Sequence, residues 1–274
     1  MVSVESAAAP TSSWAVVRAL ASRELVRFFR QRNRVVGALG QPLLFWMLFA
    51  AGLGPSFRAP GAQAAQLSYG EYFFPGTVVL IVLFTAIFAT ISIIEDRREG
   101  FLQSVLVAPI TRWSMVLGKL LGGTAIALVQ AIVFLALGLA VGLHFTWIGL
   151  AASMLLLFVL SLALTGLGFL IAWRMDSTQG FHAIMSVFLL PMWLLSGAFF
   201  PGDSPWLGWL MRLNPLSYGV AGLRRLLYWG LADAPLPEGL PSLSTCWLVT
   251  IAFAVVTFAL STKMAGYRTT GDLL

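Results

Sequence analysis

Between Glu71 and Glu95 the chain runs for 23 residues, YFFPGTVVLIVLFTAIFATISII, without one acidic or basic side chain. A helix of that length reaches across the ~30 Å hydrocarbon core of a bilayer. Several other apolar stretches reach the same ~20-residue requirement. A water-soluble globule of 274 residues needs far more polar surface than a chain that is 59% hydrophobic, 10% charged and of mean hydropathy +0.88 can supply. The apolar runs do not alternate with polar residues, which argues against the strands of a β-barrel. The predicted fold class is therefore an all-α, multi-pass membrane protein.

Six transmembrane helices are predicted, at Val35–Leu53, Tyr72–Ile94, Leu120–Leu143, Trp147–Trp173, Phe181–Phe200 and Leu243–Thr262. The first carries Gln41-Pro42, which should bend it. Residues 1–13 read as a disordered N-terminus, 14–34 as an amphipathic helix, 35–262 as the six-span domain and 263–274 as a cytoplasmic tail. No signal peptide is expected, because the first long apolar run begins only after Arg34 and is too long for a signal core. In the amphipathic helix Trp14, Val17, Ala21, Leu25, Phe28 and Phe29 share one sector, and Arg23, Arg27, Arg30 and Arg34 lie opposite. That pattern predicts a helix in the membrane interface with its guanidiniums toward lipid phosphates; Arg18, on the apolar side, has to snorkel. Such a helix serves as an anchor, as a partner-binding surface, or as both.

The basic residues set the orientation. With both termini in the cytoplasm, 13 of the 17 Lys and Arg fall inside, and only Arg58, Arg212, Arg224 and Arg225 fall outside. The net charge of +6 is thus a topology signal and a contact with anionic membrane lipids, and no nucleic-acid partner is expected. A seventh span through 205–230 would bury three of those arginines and an Asn-Pro step, at ~2.5–3.5 kcal/mol for each Arg near mid-bilayer. That segment is instead expected to form short re-entrant helices on the outer side, between spans five and six.

Directly after the second predicted span comes EDRREG (95–100), then FLQSVLVAP. A solvated loop that merely enforces topology accounts for Arg97 and Arg98. It does not account for Glu95, Asp96 and Glu99, nor for an apolar stripe of Phe101, Leu102, Val105 and Leu106 in a short helix ended by Pro109. A helix over 95–109 with a charged lip suits docking on a cytoplasmic partner, the stripe filling a groove and the charges orienting it. Gly100 should permit the turn between lip and helix. Lys119 lies near the inner end of its span and is expected to snorkel. The steps Gly118…Gly122-Gly123 and Gly138…Gly142 predict close helix contacts. A single Cys246 and two distant histidines, His144 and His182, leave no disulfide and no metal site to expect.

The order of these parts resembles the permease subunit of a type-2 ATP-binding-cassette (ABC) exporter, of the branch exporting drugs, glycolipids and polysaccharides. Glu95-Asp96-Arg97-Arg98-Glu99-Gly100 is similar to the family's coupling-helix entry. LSGAFFP (195–201), then Asn214-Pro215-Leu216-Ser217-Tyr218 and Arg224 six residues on, resemble its signature before the last span. The resemblance covers residues 14–265. It implies a coupling segment of Glu95, Asp96, Arg97, Arg98, Glu99, Gly100, Phe101 and Leu102, and an outer signature of Gly197, Pro215, Tyr218 and Arg224 that anchors or gates. Phe199 and Phe200 would form an outer closure or simply pack. It further implies two copies of a cytoplasmic ABC ATPase, a second permease copy as homodimer or heterodimer, and residence in a bacterial cytoplasmic (inner) membrane. The exported substrate would be an amphiphilic or hydrophobic drug, lipid, glycolipid or polysaccharide. ATP and Mg would sit in the partner ATPase. The chain itself is expected to bind no cofactor and not to be an enzyme: at Gly118-Lys119, Leu120 stands where a phosphate loop needs Ser or Thr, and Trp113 where it needs Gly.

Rival classes fare worse on the same residues. An ion-coupled carrier holds an acid or histidine inside its spans, whereas all 11 acids here lie at or beyond predicted span ends. A channel needs a polar or charged ring, and a membrane enzyme a metal site or paired carboxylates near an interface; neither is evident.

Overall fold

The computed structural model describes residues 12–31, 40, 43–48, 51–52, 69–140, 143–199, 205–230, 236–237 and 239–267. Among these residues all regular structure is helical. In chain order the helices are α1 (Ser13–Arg30), α2 (Tyr69–Ala89), α3 (Ile91–Arg98), α4 (Phe101–Val107), α5 (Arg112–Ala140), α6 (Trp147–Ala172), α7 (Thr178–Leu194), α8 (Pro205–Leu213), α9 (Pro215–Leu227) and α10 (Leu243–Gly266). Among the described residues, four stretches are long and apolar enough to cross a membrane: α2 with α3 (Tyr69–Arg98), α5, α6 and α10. The fifth predicted span, Phe181–Phe200, coincides with α7, which at 17 residues is not one of those four; it stops at Leu194, and Gly197 then turns the backbone at φ 75°. Most of the first predicted span lies outside the described residues, as do residues 1–11, Phe200 and the end of the tail. Residues 43–48 are helical, and Trp46 packs edge-on against Phe74 and Phe134.

The centre of the bundle is α2. Its most apolar window is 83% buried within the protein, against 22% for α10, so α2 is a core helix and α10 a peripheral one facing the apolar surroundings with Leu248, Ile251 and Val255. Helices α5 and α6 flank α2, and α9 and α10 pack on α6. Close approaches rest on glycine. A Cβ on Gly123 would stand 2.7 Å from Thr165 of α6, and one on Gly76 2.6 Å from Ala198. Helix starts carry side-chain caps: Thr146, Ser177 and Ser242 each accept from the amide three residues on, and Asn214 from Leu216, with Pro215 at the first helical position.

Two local features interrupt α2. Pro75 has no N–H, so the carbonyl of Glu71 loses its helical donor; the hydroxyl of Tyr228 donates to that oxygen at 3.1 Å instead. At Thr90 the ladder tightens to i→i−3 bonds, Thr90 N to Ile87 O (3.0 Å) and Ile93 N to Thr90 O (2.9 Å). The Thr90 hydroxyl also back-bonds to Ile87 O at 2.6 Å. The second predicted span therefore ends not at Ile94 but in a short helix, α3, that carries the charges of EDRREG.

Helix α1 makes a contact with the bundle that its predicted wheel did not include. The buried face is Val17, Leu20, Glu24 and Phe28, while Trp14 and Phe29 are exposed. The reason is α5. Its Gly118 leaves room for Leu20 and the Val17 carbonyl, and its Gly122 for Glu24, whose Cβ would lie 2.6 Å from an added Cβ. Packing against two glycines rotated the buried stripe by about one residue and drew an acid into it.

Candidate functional site

Glu24 is one corner of a charge cluster that joins α1, α3 and α5. Asp96, on α3, is fully buried. Arg23 grips it with two bonds, Nη2 to Oδ1 at 2.7 Å and Nη1 to Oδ2 at 3.1 Å. Arg27 adds Nη1 to Oδ1 at 2.9 Å, and the Lys119 ammonium donates to Oδ2. Lys119 Nζ also reaches Glu24 Oε1 at 2.5 Å. Arg27 Nη2 hydrogen-bonds Glu99 Oε1 at 3.1 Å and sits 3.0 Å from Glu95 Oε2 as an ion pair without hydrogen-bond alignment. Three bases thus face four acids.

Burial ranks these contacts. The Asp96 and Lys119 side chains are 0% and 5% exposed, so their pairing is charge-assisted and poorly screened. Glu99 is 58% exposed, and its pair with Arg27 contributes ~0–1 kcal/mol at most. Burial by itself lowers the pKa of Arg23, but the hydrogen bond and charge of Asp96 outweigh it and raise the value. Two expectations fall here. Lys119 does not snorkel toward water, because two buried carboxylates lie closer than the surface. Arg23 and Arg27 do not face lipid phosphates with all their donors, because three of their N–H groups are given to Asp96. The acids do lie near helix ends in sequence, yet Glu24 and Asp96 are among the buried polar residues.

The two arginines of EDRREG hold the far side. Arg97 donates to Trp173 O (2.6 Å), Met175 O (3.1 Å) and Asp176 Oδ1 (3.2 Å). Arg98 donates twice to Asp176 O, at 3.0 and 2.7 Å. These carbonyls follow the C-terminal end of α6, where a cation is favourable. All five ionisable side chains after Ile94 are therefore bolts, tying α3 to α1, to α5 and to the α6–α7 turn. Gly100 follows at φ 75°, a left-handed turn that launches α4. Helix α4 ends at Val107, with Ala108 extended ahead of Pro109. Its stripe turns inward: Leu102 is buried, and Phe101, Val105 and Leu106 pack on the chain's own core. The stripe was expected to fill a partner's groove; the chain's own core buries Leu102 and half-buries Phe101, Val105 and Leu106, and Ser104 and Val107 are exposed.

At the opposite end of α2 a second constellation forms. Arg224 of α9 is buried and donates through Nη2 to Tyr72 O (3.1 Å) and Gly197 O (3.4 Å), with its guanidinium 4.2 Å from the centre of the Tyr72 ring. Asn214 donates to Met192 O (2.6 Å) and Leu195 O (3.1 Å), and Tyr218 to Arg212 O (3.0 Å). The unpaired carbonyls at the C-terminal end of α7 thus meet an amide and a cation, which accounts for a buried arginine without a carboxylate. Burial, and the charge of Glu71 after it, push the Tyr228 phenol above its usual range and keep it a donor. Phe199 packs edge-on against Tyr69, Phe73 and Trp193.

Of the predicted residues, Glu95–Leu102 gather at one end, and Gly197, Phe199, Pro215, Tyr218 and Arg224 at the other. Sequence reasoning missed Glu24, Lys119, Tyr72 and Tyr228. The missing signal was an acid at helical spacing from Val17, Leu20 and Phe28, together with a lysine inside an otherwise apolar run. Among the described residues, no group of His, Cys, Asp and Glu is placed to hold a metal ion.

The sequence profile of the ABC-2 type transporter matches residues 15–228, which takes in both constellations. This chain belongs to the ABC-2 type transporter family. It is similar to curated ABC-2-like permeases along most of its length. With a putative transport permease ycf38 of Cyanophora paradoxa it shares 27% identity over 213 residues, 76% of this chain and 72% of that one. With a probable doxorubicin resistance ABC transporter permease protein DrrC of Mycobacterium tuberculosis it shares 26% over 225 residues, 78% of each. With a probable multidrug ABC transporter permease YbhR of Escherichia coli it shares 29% over 157 residues, 56% of this chain and 42% of that one. The ABC-2 membership makes the chain a transmembrane transport component and implies an ATPase partner.

Proposed function

We propose that this chain is the permease of an ATP-driven exporter in a bacterial cytoplasmic membrane, with six transmembrane helices, both termini inside and α1 at the inner surface. Two permease copies would enclose the path, and two cytoplasmic ATPase subunits, holding ATP and Mg, would drive it. The observation that carries this reading is the bolted elbow. A push on α4 reaches α3 through Gly100, and from α3 it passes to α1, α5 and the α6–α7 turn through Arg23, Arg27, Lys119, Arg97 and Arg98. A solvated topology loop has no use for such bracing. Helix α4 would act as the coupling helix, with Glu95–Leu102 as its entry, and α8 with α9 as the re-entrant outer pair. The many Phe and Trp side chains and the lack of charge in the spans favour an amphiphilic or hydrophobic cargo, and drug-related relatives point the same way.

The test is reconstitution with a cytoplasmic ABC ATPase that co-purifies with this permease. Glu99→Arg with Gly100→Pro removes one bolt and forces a backbone that proline cannot adopt at φ 75°. The variant should still insert in the membrane but lose substrate-stimulated ATP hydrolysis. Stimulation equal to that of the wild type would rule out the elbow as the coupling element.

A further inference from the structure

Beside the elbow, on the side of α1 turned away from α5, lies an open cavity of about 580 Å³. Its floor is Ala19, Ser22 and Val26; its walls carry Arg23, Arg27 and Arg30, with Glu99 on the facing lip. Arg30 has no hydrogen bond or ion pair among the described residues, in contrast to Arg23 and Arg27. Val26 and Phe29 stand 57% and 48% exposed along the same helix, so apolar surface runs next to the free guanidinium. Helix α1 packs directly on α5, a helix able to cross the membrane, over Gly118 and Gly122. The cavity therefore lies about one helix diameter, ~10 Å, from that helix.

We propose that this cavity is a headgroup site for one anionic phospholipid of the inner leaflet. The phosphate would sit between Arg30 and the outer edges of Arg27 and Arg23, and the glycerol and upper acyl chain along Val26 and Phe29. Planar guanidiniums suit a phosphate, and a long basic side chain beside apolar surface suits the boundary between headgroup and tail. Because Arg27 also holds Asp96, Glu95 and Glu99, a phosphate here would share a donor with the bolts of the elbow. Lipid binding and the setting of α3 would then be linked. A protein partner is the less favoured occupant, since the cavity floor runs into apolar surface on the membrane side of α1 and the α4 stripe is already packed inward. The inference rests on the reading of α1 as an inner-surface helix.

The experiment uses the full chain in nanodiscs of phosphatidylcholine with or without phosphatidylglycerol, with co-purified phosphatidylglycerol counted by native mass spectrometry. Two variants are compared, Arg30→Gln and Arg18→Gln; Arg18 is exposed on the same helix but does not line the cavity. The wild type and Arg18→Gln should retain one more phosphatidylglycerol than Arg30→Gln. Losing one arginine contact should weaken that retention about fivefold, and less so at high salt. Inorganic phosphate should not displace the lipid, because it cannot use the apolar floor. Equal retention in all three proteins, or equal loss in both variants, would overturn the site in favour of diffuse attraction to the membrane surface. So would unchanged lipid retention in an Arg30→Gln protein that no longer binds the ATPase, which would assign the cavity to that partner. None of these readouts depends on transport, so failure here is distinguishable from failure of the coupling scheme.

Discussion

Lys119→Met isolates what the buried bolts are worth. Methionine keeps the length and apolar stem of lysine and removes only the ammonium. Asp96 would keep three bonds to Arg23 and Arg27, so the loss falls chiefly on Glu24. That carboxylate is 6% exposed and would be left with Arg23, at 3.4 Å, as its remaining partner in the cluster. Removing one member of a buried pair costs ~3–5 kcal/mol; with Asp96 still held, the lower end, about 3 kcal/mol, is expected. Glu24→Gln in the same protein removes the stranded charge and should recover about half of it. Glu24→Gln alone should cost about 1 kcal/mol, since Lys119 keeps Asp96. The assay is the loss of monodisperse protein on heating in detergent, read for all four members of the double-mutant cycle. An unchanged melting temperature for Lys119→Met, or additive effects in the double variant, would refute the cluster as a coupled buried unit.

Tyr228→Phe should cost ~1–2 kcal/mol because the Glu71 carbonyl, left without an amide by Pro75, loses its hydroxyl donor. Pro75→Ala restores the helical N–H, so in that background the same substitution should be nearly silent in the same melting assay. Gly118→Val places a branched side chain where an added Cβ already meets Leu20 at 2.9 Å. It should lever α1 off α5, measured as faster protease cleavage within residues 13–30; cleavage at the wild-type rate would count against this packing.

The legibility of the chain divides by the range of the interaction. EDRREG was conspicuous because charge is costly beside an apolar run, and Gly100 because a sharp turn between two helices favours the residue without a Cβ. The halves of the outer signature stood out by their resemblance to the family's motif. Their contacts did not. Nothing in a linear pattern says that Arg224 meets the end of α7 rather than a carboxylate, or that Tyr228 completes a proline gap 157 residues away. On α1, the wheel ranked residues by their own polarity and gathered one apolar sector for the acyl boundary; the glycines of α5 draw Val17, Leu20 and Phe28, with Glu24, onto the bundle and leave Trp14 and Phe29 exposed.

By itself the sequence determined that this is an all-helical membrane protein, roughly where its apolar helices lie, and where charge interrupts them. Those properties follow from hydropathy and backbone preference, which act over a few residues. Only the tertiary structure decided that Asp96, Glu24 and Lys119 turn inward to one another, that the α4 stripe is spent on the chain's own core, and that Arg30 is left with donors to offer. Each of those outcomes compares the partners available across the bundle: a buried charge is held by whatever complementary groups lie nearest in space, carboxylates for Lys119 and backbone carbonyls for Arg224, whatever their distance along the chain.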